Sequence, residues 1–220
     1  MLQQTQAPRV VQKYEEFIKK FPTIKSLAKA RLKTVLKLWQ GLGYNRRALN
    51  LQRAAQEIVK VFKSRFPKDT KTLQSLPGVG PATAGDIMAF AFNKAEVVIE
   101  TNIRTVFIHH FFKDQKNIHD NDIIPLIKKT LDHTNPREWY YALMDYGAML
   151  KKTIPNPSRR SQHYTKQSPF KGSNREIRSK ILKYTLFYGK QKPEIISEAL
   201  SIDKKIVTKN IITMRKEGLI

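Results

Sequence analysis

Apolar positions along this chain return every three or four residues, so helices are expected throughout and no alternating strand pattern appears. Val10, Val11, Tyr14, Phe17, Ile18 and Phe21 fall on one helical face that ends at Pro22. Thr23 to Ala28 reads as a short helix, and Val35, Leu36, Leu38 and Trp39 belong to another ahead of Gly41-Leu42-Gly43. Arg47 to Phe62 gives an amphipathic helix that stops before Pro67, with Leu49, Leu51, Ala54, Ala55, Ile58 and Val59 on its apolar side. A short helix over Thr70 to Ser75 and a run from Thr83 to Phe92, rich in Ala, Ile, Met and Phe, flank a glycine-rich corner. Ile99 to Arg104 leads into Val106, Phe107, Ile108 and Phe111. Asp120 or Asn121 is placed to cap Ile123 to Leu131, and Pro136 opens a helix through Trp139, Tyr140, Leu143, Met144 and Met149. The pattern predicts an all-α array ending near Leu150.

The character changes at Lys151. Residues 151–174 hold three Pro, four Ser and the cations Arg159, Arg160, Lys166 and Lys171 with few aliphatics, which reads as a linker or basic strap. From Arg175 the helical pattern resumes, and Pro193 to Leu200 followed by Lys204 to Met214 has the layout of a helix-turn-helix. Its two readings are a helix for the DNA major groove, with Lys204, Lys205, Lys209 and Arg215 on phosphates, and an appendage that covers the core. The expected organisation is therefore a domain over 1–150, a strap over 151–174 and a small module over 175–220.

Charge narrows the partners. Lys and Arg number 41 against 18 Asp and Glu, a formal net charge of +23, and residues 151–220 alone hold 17 against five. Such an imbalance repels itself on folding and favours a polyanion. Nucleic acid leads and an anionic membrane surface follows. No segment approaches the ~20 apolar residues of a membrane span, so a soluble, cytoplasmic and nucleoid-associated monomer is expected. The chain contains no cysteine, which excludes disulfides, zinc held by thiolates and cysteine-held iron–sulfur clusters. The five histidines lack metal-ligand spacing, and no protein-ligated metal is expected.

Leu76-Pro77-Gly78-Val79-Gly80, running into Pro81-Ala82-Thr83-Ala84-Gly85, reads as a turn between two helices. Gly78 and Gly80 can take φ > 0 and let a ligand approach the backbone, and Pro81 suits a first helical turn. Amide groups at the positive end of the following helix suit a phosphate oxygen.

Met1 to Gln6, Trp39 to Tyr44, Leu76 to Gly85 and Ala142 to Ala148 occur in that order and together resemble the helix-hairpin-helix DNA glycosylases, specifically the adenine glycosylases of the MutY type. The resemblance covers about residues 1–150. It implies two helical subdomains with an active-site cleft, and excision of adenine mispaired with 8-oxoguanine or guanine from double-stranded DNA. It maps a catalytic carboxylate onto Glu100, where the family has Asp, and its companion onto Asn102. It gives Gln3 and Gln4 the role of a wedge in the base stack and Tyr44 that of an aromatic at the opposite base. Leu76, Gly78, Val79, Gly80 and Thr83 would hold the DNA strand, Arg159 and Arg160 would grip phosphates, and Asp145 would support the active-site helices.

Ala82 stands where relatives of the endonuclease III type carry a Schiff-base Lys, which implies a monofunctional enzyme without strand cleavage. Three departures accompany the resemblance. The family's general acid precedes the Met1–Gln6 motif, so either the sequence begins late or the acid is missing. The four-Cys cluster loop is replaced by Lys151, Lys152, Arg159 and Arg160, so no iron–sulfur cofactor is expected. An apparent helix-turn-helix follows where the family has its domain that reads 8-oxoguanine, so selectivity for the opposite base is not expected to carry over. A DNA-binding protein without catalysis, and a glycosylase with another mismatch preference, are the alternatives.

Overall fold

A computed structural model of the chain describes residues 1–3, 5 and 7–220. It is all-α: among the described residues no strand forms, and Ile118 and Ser161 make an isolated bridge. The chain divides into two compact units. One comprises Met1–Phe66, Leu76–Gly78 and Ser168–Ile220, and the other Pro67–Ser75 and Val79–Gln167.

The first unit is built from α1 (Ala7–Lys20), α2 (Ile24–Lys29), α3 (Leu32–Trp39) and α4 (Arg46–Lys60). Its amphipathic stripes bury Val10, Phe17, Val35, Leu36, Trp39, Leu49 and Ala55 together. Thr23 starts α2 through a capping box with Ser26. The α1 face is narrower than the sequence pattern predicts: Val10, Phe17 and Phe21 are buried, whereas Val11, Tyr14 and Ile18 are exposed. Leu51, Phe111 and Met149 likewise lie outside the core.

The C-terminal segment contributes three further helices to this unit, which we number α10 (Asn174–Tyr188), α11 (Pro193–Leu200) and α12 (Lys204–Glu217). Ile181, Leu182, Ile196, Val207, Ile211 and Met214 join the same buried cluster as Phe17 and Trp39. The inner faces of these helices therefore complete the core begun by α1 to α4.

The second unit holds α5 (Thr70–Ser75), α6 (Pro81–Asp86), a π-helical turn over Ile87–Ala91, α7 (Thr101–Phe111), α8 (Asp120–Thr130) and α9 (Pro136–Thr153), followed by a 3₁₀ turn at Pro157–Arg160. Its core gathers Val98, Ile103, Phe107, Ile108, Ile123, Ile127 and Tyr140. The cap of α8 differs from expectation. His119 is the N-cap, its Nδ1 accepting from the Asn121 amide at 3.0 Å, with Asp122 closing the box. Asp120 instead takes the Arg104 guanidinium in two bonds of 2.7 and 2.8 Å.

Candidate active site

The glycine corner is shaped by one left-handed residue. Gly78 has φ of +78°, and a Cβ there would meet the Asn50 side chain at 2.6 Å. Gly80 is extended, with φ −90° and ψ 179°, and nothing lies within 4 Å of its would-be Cβ. Its carbonyl accepts the first helical bond of α6 from Ala84 at 2.9 Å. So only Gly78 needs glycine for its dihedral angles, while Gly80 offers open space against the backbone. Gly78, Gly80 and Ala82 are exposed and Val79 and Thr83 are half-buried. The Leu76 side chain is buried, so any contact it makes with a strand is through backbone.

In the second unit α6 ends at Asp86, the single charged residue in the run from Thr83 to Phe92. Gly85 packs that end against the segment before α7: its would-be Cβ meets Val98 Cγ2 at 3.2 Å and the Val97 carbonyl at 3.5 Å. Tyr140 clamps the same segment, donating to the Glu96 carbonyl at 2.7 Å and accepting from the Val98 amide at 2.8 Å. Glu100 follows, extended and half-buried, and its Oε1 accepts from the amides of Asn102 (2.5 Å) and Ile103 (2.9 Å). This carboxylate N-caps α7, where the helix dipole favours negative charge. The pairing of Glu100 with Arg104 that sequence spacing allows is not made, because Arg104 is held by Asp120.

Two oxygens in this unit are buried without a hydrogen-bond partner: Asp86 Oδ1 and Asn102 Oδ1. Burial pushes the Asp86 carboxyl up to about 6, and the neighbouring Glu100 charge adds to the effect. Burial also raises the Tyr140 hydroxyl to about 12; its bond from Val98 opposes this, and Asp86 and Glu96 reinforce it. The sequence reading passed over Asp86, whose raised carboxyl has one enclosed oxygen without a partner. The available signal was a lone acid in an otherwise apolar helical run. Such a residue must find a partner or surrender its charge.

Gly147 carries the support from α9. A Cβ there would stand 2.2 Å from the Asn102 carbonyl oxygen, so only glycine lets α9 cross the first turn of α7. Asp145, given the supporting role by resemblance, is exposed in mid-helix and makes no hydrogen bond or ion pair among the described residues. Within that motif the structure gives the support to Gly147.

Arg160 is likewise reassigned. Its guanidinium donates to the Ile108 carbonyl at 3.0 Å and to those of Phe112 and Lys113. It thus caps the C-terminal end of α7, with both Nη1 and Nη2 engaged there. Arg159 remains exposed. Ile118 pairs in both directions with the strap, accepting from the Gln162 amide and donating to the Arg160 carbonyl. An iron–sulfur cluster needs thiolates, and this segment supplies cations and no cysteine, so the residues present do not fit one. Among the described residues no group of three or more metal-ligating side chains forms. Lys94 is exposed and donates to the Lys68 carbonyl at 3.2 Å, and Glu16 pairs with Lys13.

In the first unit Arg47, also missed in the sequence, ties the N-terminal segment to the Gly41–Tyr44 turn. Its guanidinium donates to the carbonyls of Met1, Gln3 and Leu42 and to Thr5 Oγ1 at 2.9 Å, and stacks over Trp39 and Tyr44. Tyr44 has φ of +47°, is 38% exposed, and accepts from Arg175 at 3.3 Å. Gln3 and Tyr44 are thus held by one cation, with the Gln3 side chain exposed. Gln4 lies outside the described residues.

Two short helices joined by a glycine corner have the layout of the helix-hairpin-helix class. Residues 1–126 match the family described as "HhH-GPD superfamily base excision DNA repair protein", and the chain belongs to that family. It is 37% identical over 154 residues to an adenine DNA glycosylase of Buchnera aphidicola subsp. Baizongia pistaciae, covering 68% of this chain and 43% of the relative. It is 35% identical over 163 residues to the human adenine DNA glycosylase, covering 72% of this chain and 29% of that one. The chain thus spans less than half the length of these curated relatives. Among solved structures it is similar to a thermostable thymine-DNA glycosylase, with a TM-score of 0.64, 24% identity and 71% and 73% of the two chains covered. It is similar also to endonuclease III in a trapped covalent complex with DNA, with a TM-score of 0.55, 18% identity and coverage of 77% and 73%. These structural likenesses establish the fold.

Proposed function

We propose that the chain is a monofunctional DNA glycosylase that removes adenine mispaired with 8-oxoguanine or guanine. The observation that carries the reading is Glu100, fixed by two backbone amides at the start of α7, beside a buried Asn102 oxygen that no donor reaches. Membership of the family and the names of the relatives support it. Residues 1–150 would carry the reaction, on a single flipped nucleotide of duplex DNA.

Cleavage breaks the bond between the sugar C1′ and adenine N9. The bonding electrons leave with the base, which must be protonated, and positive charge spreads over C1′ and the ring oxygen. A carboxylate fixed by two backbone amides, as Glu100 is, offsets that charge without reorganising. Burial and the nearby Glu100 charge raise the Asp86 carboxyl to about 6, so it keeps its proton further up the pH scale than an ordinary Asp and is a candidate proton source. Water then adds to C1′ and leaves an abasic site. Ala82 provides no amine for a Schiff base, so the reaction ends there. Gly80 and the amides after it would admit a phosphate, and Tyr44 and Gln3, pinned by Arg47, would address the opposite base.

A second reading, a DNA-binding protein without excision, is favoured by one observation: Glu100 Oε1 is already engaged as a helix cap. Duplexes carrying A opposite 8-oxoguanine, G or C, incubated with excess protein and then alkali, separate the two. Strand breaks at A opposite 8-oxoguanine or G, lowered about 10²–10³-fold in Glu100→Gln, support the glycosylase. Tight binding to abasic-analogue DNA without excision supports the binder.

A further inference from the structure

Helices α11 and α12 lie beyond the residues matched by the family, and their inner and outer faces differ. Between them runs a three-residue turn, Ser201-Ile202-Asp203. Ser201 takes the left-handed conformation at φ of 51°, and Asp203 caps α12 by accepting from the amides of Lys205 and Ile206. The Ile202 amide donates to the Ser197 carbonyl, and Ser197 Oγ donates back to the Ile202 carbonyl at 2.6 Å. The inward positions Ile196, Leu200, Ile202, Val207 and Ile211 seat the pair on the core. Two bonds then lock α12 to α10: Asn210 Nδ2 to Asn174 Oδ1 at 2.9 Å, and Arg178 to Glu217 at 2.5 Å. The pair is a rigid helix-turn-helix.

What this rigidity presents is the outer face of α12. Lys204, Lys205, Thr208, Lys209, Ile212 and Thr213 line a shallow open groove there. Lys205 and Lys209 are exposed, and Ile212 is 49% exposed. No acidic side chain lines the groove. Asp203 is committed to the helix cap, and Glu194 pairs with Lys204 at one end of the groove at 2.8 Å, which leaves Lys205 and Lys209 as its remaining exposed cations. Packing needs explain the inner face and leave the outer one unexplained.

We infer that this face of α12 is a second DNA-binding surface, which enters the major groove of undamaged duplex DNA. Lys205 and Lys209, one turn apart, suit successive phosphates along a groove wall. Thr208, Ile212 and Thr213 present methyl groups between them, which suit the edges of thymine rather than a lipid surface. Ile212 is the one large apolar side chain lining the groove, and set among Lys204, Lys205 and Lys209 it offers too little apolar area for membrane insertion. B-form DNA admits a helix in its major groove, whereas A-form RNA has one too deep and narrow to be read. This surface would hold the protein on intact DNA whether or not the second unit carries out excision.

The test uses the full chain and a mismatch-free duplex of about 30 base pairs, with binding read by fluorescence anisotropy from 50 to 200 mM salt. Lys205→Ala/Lys209→Ala should weaken binding on the order of 10- to 50-fold and lower the salt slope by about 2. The equally exposed pair Lys33→Ala/Lys37→Ala on α3 should shift the slope by less than about half a unit if location rather than net charge matters. Ile212→Glu, a surface change that leaves the core intact, should weaken binding as well. Duplex RNA of the same length should bind more weakly than the DNA. Equal effects from the α3 and α12 pairs, or no effect from Ile212→Glu, would overturn the proposal. So would equal affinity for DNA and RNA. No excision is scored, so loss of the glycosylase reading would leave these outcomes intact.

Discussion

Asp120 and Asp86 lie in the same unit, each beside a charged neighbour, and they have opposite fates. Burial alone would raise Asp120, but the two bonds and the charge of Arg104 overcome it and hold the carboxyl below its usual value. Asp86 is half-buried near another acid, has one enclosed oxygen without a partner, and rises to about 6. The first arrangement is what a fold does with a charge it uses for structure. The second costs stability and persists only where something else requires it, which is why the Asp86–Glu100 end of α7 reads as the chemical end.

The sharpest way to break the contrast is through the glycine that supports it. Gly147→Ala forces the Asn102 carbonyl aside and should destabilise the chain by about 3 kcal/mol in urea titration. A loss below about 1 kcal/mol would mean that α9 and α7 separate easily there. Asp120→Ala removes one partner of a mostly buried pair and should cost about 2–3 kcal/mol at pH 7, less than a fully enclosed pair because some solvent reaches it. That cost should shrink at low pH. Asp120 binds its proton less tightly folded than unfolded, so its contribution is present above the ordinary carboxylate range and lost as pH falls.

Asp86→Asn should do the reverse. Asp86 holds its proton more tightly when folded, so it is harmless below its ordinary value of 3.8 and penalises the fold as pH rises toward about 6. The Asn variant should therefore gain on the order of 2 kcal/mol at pH 8 and nothing at pH 3. Urea titrations at the two pH values would show it, and a stability loss at pH 8 would contradict it. The smallest effect concerns the glycine corner. Gly80→Ala should alter stability by at most about 0.5 kcal/mol, since nothing crowds the site, yet weaken DNA binding if a phosphate approaches that backbone. Unchanged affinity would remove Gly80 from the interface.

Much of this was legible in the chain. The helical periods of Arg47 to Phe62 and of Pro136 to Met149 matched elements, because their apolar stripes are long and packing agrees with propensity. Glu100 was singled out by its place after the hairpin, and the structure sets it at the N-cap of α7. What stayed hidden depended on which partner a polar group would find. Arg104 could reach Glu100 or Asp120, and tertiary packing chose Asp120. Arg160 looked like a free phosphate cation and became a helix cap, because the chain folds back to Ile118. The left-handed turn at Gly78 and the crossing at Gly147 both use glycine, yet only the structure shows which backbone or side chain each one admits.

The account turns on an Asp86 carboxyl that burial, with the nearby Glu100 charge, holds above its ordinary range. Carbon-13 NMR titration of the Asp86 side-chain carboxyl, in the native chain and in Glu100→Gln, measures this directly. The account predicts a midpoint near 6 in the native chain and a lower one in the variant, with burial retaining part of the rise. A native midpoint near the ordinary 3.8, or one that Glu100→Gln leaves unmoved, would contradict it.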